Sequence, residues 1–452
     1  MAQGGMDEGE AAGAGPGWRS WLIALLLAFC YTMSYVDRQV ISLLIEPIKA
    51  ALSLSDTQFG LMQGISFSLF YVAASLPLAW LADHTRRSRL MAACIAAWSA
   101  MTMLCAFAAN FWQMLAARIG IAAGESGLTP AALATLSDRF DPRTLPTATA
   151  MYMLAPFVGG GLALAGGGAL YAAVTHWAAV DGSIFAALDA WQWVFLIVGA
   201  PGLLAAALLL LIRDRRPAGS AREGQGMGEM IAFFRREWRI MGTYAMAMSV
   251  LMTLLSSYVT WLPAAIMRSK GVDEATMGTL FGPIYLLSGA AGTISAGVLI
   301  MARGGEDKVR AVLRYMILLV ALLWPVGTFG LLTGSLHGEL AMMGVALFLI
   351  SSVTSLSSLP FQYVTPRHLR AQAIAILAAL SALFGTGLGP VLAGVMSDHL
   401  TGARFPLSMA LSIIAAVVCP IVLLLLTMAL RRHATVRLDL AGREGLIAPA
   451  LA

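Results

Sequence analysis

Four ionisable side chains stand where the sequence is otherwise apolar: Asp37 with Arg38, and Arg118 with Glu125. A charge at bilayer depth is costly, so such residues face a bundle interior or a water-filled path. Arg118 and Glu125 are seven residues apart, which puts them on one helix face about 10 Å from each other. Gly120 and Gly124 between them would let another helix come close. Two chemistries fit this set. One is a structural ion-pair network that braces the first half of the chain. The other is a proton carrier, an acid that burial and a neighbouring arginine pull in opposite directions. Asp37 and Glu125 are both candidates for that acid.

A second charged cluster reads Leu81-Ala82-Asp83-His84-Thr85-Arg86-Arg87-Ser88-Arg89. Its arginines alone would suit any loop on the positive side of a membrane. Asp83 adds an acid at a helix edge, where Arg86, Arg87 or a neighbouring helix N-terminus can hold it. Asp138-Arg139 is a candidate second layer of the same gate. Further on, Ala155-Pro156-Phe157-Val158-Gly159-Gly160 describes a proline-kinked, glycine-packed helix. Residues for catalysis do not converge. The six histidines are scattered over different loops and ends, there is no phosphate-binding Gly-x-x-x-x-Gly-Lys-Ser/Thr loop, and metal-ligand spacing is lacking. Cys30, Cys94, Cys105 and Cys419 lie in apolar stretches and read as small buried hydrophobes. No catalytic residue, cofactor or metal is expected.

The elements that carry these residues must be membrane helices. Hydrophobic residues make up 59% of the 452 and charged residues 12%, against about a quarter charged in soluble domains. Twelve apolar runs are long enough to cross a bilayer: 20–45, 58–82, 89–109, 113–137, 145–174, 191–212, 240–266, 276–301, 310–332, 338–361, 371–396 and 405–430. The first reads as a span rather than a cleaved leader, because it is long, lacks a small-residue cleavage site and contains Asp37 and Arg38. Of the 29 Lys and Arg, 23 fall on the side of both termini and only Lys49, Arg268, Lys270 and Arg404 on the other. The positive-inside rule therefore places both ends in the cytoplasm. The net charge of +5 reflects this topology and not nucleic-acid binding.

The longest polar interruption divides six spans from six. Expected are a disordered tail at 1–17, a first bundle at 18–212, a central linker at 213–237, a second bundle at 238–432 and a disordered cytoplasmic tail at 433–452. Met227 to Arg239 mixes apolar residues with arginine and reads as a surface helix on the inner leaflet or as a plain linker. Asp56-Thr57-Gln58-Phe59-Gly60 with Gly64 opens the second span, and Glu274-Ala275-Thr276-Met277-Gly278 with Gly282 opens the eighth, 218 residues later. That echo suggests a duplicated architecture with a cavity between the halves. The second half is nearly free of buried charge but offers Ser351, Ser352, Thr354, Ser355, Ser357 and Ser358, with Tyr258, Tyr285 and Gln362. The cavity would have one charged wall and one apolar, hydroxyl-bearing wall, suited to an amphipathic solute.

The Asp83 segment resembles the loop motif of the major facilitator superfamily, departing from it at Ala79, His84 and Arg86. Pro156, Gly159 and Gly160 sit in a segment similar to the antiporter motif, with Ala155 in place of its first glycine. Within the superfamily the chain most resembles the spinster-like group. Tyr35-Val36-Asp37-Arg38, Arg118 with Glu125, and Leu383-Phe384-Gly385 to Gly389-Pro390 carry that likeness. The resemblance implies an all-α membrane fold of two six-helix bundles, alternating access, protons as coupling ions and a lysolipid or sphingoid-phosphate substrate among membrane lipids. A carrier for organic acids or drugs is the alternative, and a membrane enzyme or non-transporting receptor the rival of another class. A monomer in a bacterial inner membrane is expected.

Overall fold

The computed structural model describes residues 17–141, 143–180, 182–212, 227–302, 307–366, 369–400 and 406–443, and these are helical almost throughout. The expected tail at 1–16, the linker at 213–226 and residues 444–452 lie outside the described residues. Eleven helices among those described are long and apolar enough to span a membrane. The remaining span is the fourth, which is split into Phe111–Glu125 and Leu128–Ser137, each too short by itself. Large apolar side chains such as Leu76, Trp80, Leu204, Leu211 and Phe329 are exposed around the outside. In water this would be an aggregating surface; in a bilayer it is the lipid face.

Prolines decide where several spans break. A proline has no N–H to give to the carbonyl four residues earlier. Pro130 leaves the Ser126 carbonyl without that donor, and the fourth span turns at Ser126-Gly127, directly behind Glu125. Pro156 coincides with the break between Leu145–Met153 and Ala155–Ala178. Pro360 does the same between Leu336–Ser355 and Leu359–Val364. Pro390 follows the π-helical turn Ser381–Thr386 of the eleventh span. The seventh span, Trp238–Lys270, runs unbroken through Pro263.

Met227–Arg236 forms the short helix that the arginine-bearing segment suggested. The last helix, Pro406–Arg443, continues past Arg432, where the sequence suggested that order would end. Arg432 binds the Arg239 carbonyl at 2.6 Å, which places the C-terminal helix beside the start of the seventh span. The face holding both ends is called terminal below, and the opposite one distal.

The halves are joined where the second span crosses the eleventh and the fifth crosses the eighth. The 218-residue echo lies in both crossings. Gly60 and Gly64 press against the Pro390 and Gly387 carbonyls, and Gly394 packs on the Asp56 carbonyl. At the other crossing Gly278 presses on the Leu164 carbonyl, Gly282 on Ala165, and Gly168 on the Glu274 carbonyl. A side chain at any of these positions would collide with backbone, so the helices meet at the closest approach glycine allows. Both crossings lie toward the distal face. There Asp273 starts the eighth span by accepting the Thr276 N–H at 2.7 Å, a bond that holds its carboxyl below the usual range.

Gly278→Leu is expected to force the fifth and eighth spans apart and to lower the melting temperature in detergent by several degrees. Gly297→Leu, at a glycine with open space around it, should leave it unchanged.

Candidate transport cavity

Between the halves lies a cavity of about 290 Å³. The first, second and fourth spans contribute Tyr35, Arg38, Gln39, Phe67 and Arg118, and the fifth adds Pro156 and Phe157. The second half contributes Leu255, Ser256, Val259, Thr260, Tyr285, Leu347, Ser351 and Thr354. One wall therefore carries guanidinium groups and the other hydroxyl and apolar groups. Of the tenth-span hydroxyls named from sequence, Ser351 and Thr354 face the cavity, whereas Ser352 is turned onto the Gly292 carbonyl at 2.9 Å. Tyr285 lines the space; Tyr258 is instead bound to the Gly327 carbonyl at 2.8 Å.

The four intramembrane charges come together, and the packing selects one pairing among those left open by the sequence. Arg38, not Arg118, forms the ion pair with Glu125, its Nε lying 3.1 Å from Oε2. The Arg38 guanidinium also lies over the rings of Tyr35, Phe67 and Tyr71, at 5.1, 4.9 and 5.5 Å from their centroids. Arg118 shares Phe67 from another direction, at 5.1 Å. This aromatic setting offers cation–π attraction to both arginines. Arg118 is 1% exposed, and neither its Nε nor its Nη1 has a hydrogen-bond partner. Asp37 is turned into the first bundle, where Thr102 donates to its Oδ2 at 3.3 Å and Oδ1 has no partner. Glu125 keeps one carboxylate oxygen, Oε1, without a partner. The cavity thus meets the two arginines first, and both acids sit behind them.

The loop cluster is less of a unit. Arg87 pairs with Asp138, joining the start of the third span to the end of the fourth within one half. Arg139 is engaged as well, while Arg86 is exposed. The Asp83 side chain, and with it the expected partnership with Arg86 or Arg87, lies outside the described residues. The packing motif is placed as its sequence implies: Gly159 lies on Thr32 and Tyr35 of the first span, and Gly160 on the ring of Tyr285.

Sequence reasoning passed over the distal seal. Arg268 at the end of the seventh span donates to both Asp56 oxygens at 2.6 and 2.7 Å, and to Glu46 at 2.7 Å. Lys49 also pairs with Asp56, Ser397 donates to it at 2.6 Å, and Asp398 accepts the Asp56 and Thr57 N–H groups at 3.2 and 2.8 Å. This network ties the halves together above the glycine crossing. Its signal was available: three of only four basic residues on the distal side are paired with acids here, Lys270 with Glu339 being the third. Gln39, next to Arg38, was also missed. Its Nε2 donates across the halves to the Val259 carbonyl at 2.8 Å.

This arrangement, two pseudo-equivalent bundles with a charged cavity at their interface, is matched by the family model described as Major Facilitator Superfamily over residues 27–383. The chain belongs to that superfamily. It is a membrane transporter and not an enzyme. It is 29% identical over 406 residues to an MFS-type efflux pump of Mycolicibacterium smegmatis, covering 88% of this chain and 89% of that one. It is 24% identical over 411 residues to protein spinster homolog 1 of Xenopus laevis, covering 84% and 74%. In fold it is similar to a bacterial homologue of the human lysosomal transporter Spinster, crystallised inward-facing and unoccupied, with a TM-score of 0.77 at 24% identity over 91% of this chain and 96% of that one. The spinster likeness expected from Asp37-Arg38, Arg118 and Glu125 thus extends over most of the chain.

Arg268→Asp should weaken the distal seal and lower the melting temperature. The charge-swapped pair Asp56→Arg with Arg268→Asp is expected to recover part of the loss, whereas two independent effects would simply add.

Proposed function

We propose that this protein is a secondary transporter for an amphipathic solute with an anionic head, working by alternating access. The observation that carries this reading is Arg118: a buried guanidinium on the cavity wall with two nitrogens unpartnered. A buried donor left unpaired is expensive. A carboxylate or phosphate entering the cavity would satisfy it with charge-assisted bonds. The opposite wall, with Leu255, Val259 and Leu347 among hydroxyls, suits an apolar tail. Lysolipids have this build, and the spinster-like relatives favour them over simple acids.

Protons supply the driving force in this scheme. Glu125 holds Arg38 and Asp37 lies just behind it. A proton on Glu125 would release Arg38 toward the cavity, so binding of an anion and of a proton would reinforce each other. Contact between the halves is concentrated at the distal crossings, which corresponds to a state open toward the terminal face. With both termini in the cytoplasm, as the arginine asymmetry indicates, that state is inward-facing. The Arg87–Asp138 pair would brace the terminal side as the bundles rock. The efflux-pump relative favours a second reading, export of drug-like amphiphiles through the same cavity.

Flux of labelled lysophospholipid through reconstituted vesicles, with and without an imposed pH gradient, tests both parts. Gradient-enhanced flux is expected. Arg118→Gln should reduce it at least tenfold, and an efflux substrate that outcompetes the lysolipid would favour the second reading. Glu125→Gln and Asp37→Asn are expected to abolish the gradient's effect while leaving exchange down a solute gradient; an Asp37→Asn protein with full gradient-driven accumulation would remove Asp37 from the scheme.

A further inference from the structure

The seventh span poses a problem that only the other half of the molecule solves. Pro263 lies inside this unbroken helix and cannot donate to the carbonyl of Val259, four residues earlier. A carbonyl left without a donor away from water costs free energy comparable to a lost hydrogen bond. Gln39 of the first span meets it, its Nε2 2.8 Å from the Val259 oxygen, and a carbonyl can be met only by the amide's N–H side. Gln39 is 4% exposed, and Ser42, whose hydroxyl bonds back to the Gln39 carbonyl at 2.7 Å, braces the turn that presents it. The bond crosses from one half to the other, lies on the cavity wall, and comes from the residue next to Arg38.

We infer that Gln39 is a positioning residue of the transport cycle, holding the distal side closed by satisfying the Val259 carbonyl that Pro263 leaves free. The inference rests on the alternating-access reading above. Opening the distal side draws the first and seventh spans apart and breaks this bond, so its strength sets part of the balance between the two states. The proline supplies the weakness and the glutamine the latch.

The test is a double-variant cycle read by spin-label distances between Ala51→Cys and Thr276→Cys, on the distal parts of the two halves, in a background without the native cysteines. Gln39→Leu, or the similarly sized and donor-free Gln39→Met if the first folds poorly, should shift the population toward the long, distal-open distance about tenfold, a change of roughly 1.4 kcal/mol. Pro263→Ala restores the helix's own donor to Val259. With its own donor back the carbonyl no longer needs Gln39, so Pro263→Ala alone should shift the population the same way. The double variant should shift little further than the Gln39 variant, whereas two independent defects would add. An unchanged distribution in the Gln39 variants, or shifts from Gln39 and Pro263→Ala that add in full in the double variant, overturns the inference. A distance that stays fixed in every variant and across pH and added lysophospholipid would instead overturn the alternating-access reading itself.

Discussion

Backbone-to-backbone approach at two helix crossings sets the terms for the rest of this molecule. Hydrophobic burial does little to hold helices together inside a bilayer, because lipid is as apolar as leucine. Close packing must do the work. Gly60 and Gly64 against the eleventh span, and Gly278 and Gly282 against the fifth, bring the two bundles into backbone contact toward one end. The cavity exists because these crossings fix one end of the halves and leave space between them further along. Around one crossing the seal is also electrostatic, since Asp56, Arg268, Lys49 and Asp398 lie directly above it.

Charge inside the first bundle follows a different logic. Arg38 is paired with Glu125 and enclosed by aromatic rings, whereas Arg118 has an aromatic neighbour and two nitrogens with no acceptor. The first is nearly balanced and the second is in deficit. Removing one partner of a buried pair leaves an uncompensated charge that costs several kcal/mol, so a proton on Glu125 has consequences for both arginines. Polar deficits recur elsewhere in the interior, at Asp37 Oδ1 and Glu125 Oε1.

Much of this was legible from residue types. The spans followed from apolar runs longer than the hydrocarbon core, and the four intramembrane charges were conspicuous for their cost. The Gly60 and Gly278 motifs could be found by their spacing, but a repeat does not say what it touches. Their roles became clear once the second span was seen against the eleventh and the eighth against the fifth. The Asp83 motif carried the resemblance, and among the described residues of this region Arg87 is paired with Asp138, the acid named from sequence as its second layer.

The sequence by itself determined the solvent of this protein, its helix count and the cost of its buried charges, because hydropathy and charge act residue by residue. Which arginine pairs with Glu125 was decided only by tertiary structure. Helical spacing put Arg118 on the same face of the same span but about two turns away, and the neighbouring helix brings Arg38 within reach. The same holds for Gln39 and Val259, 220 residues apart. A proline shows in sequence which carbonyl loses its donor; only the packed halves show which side chain replaces it.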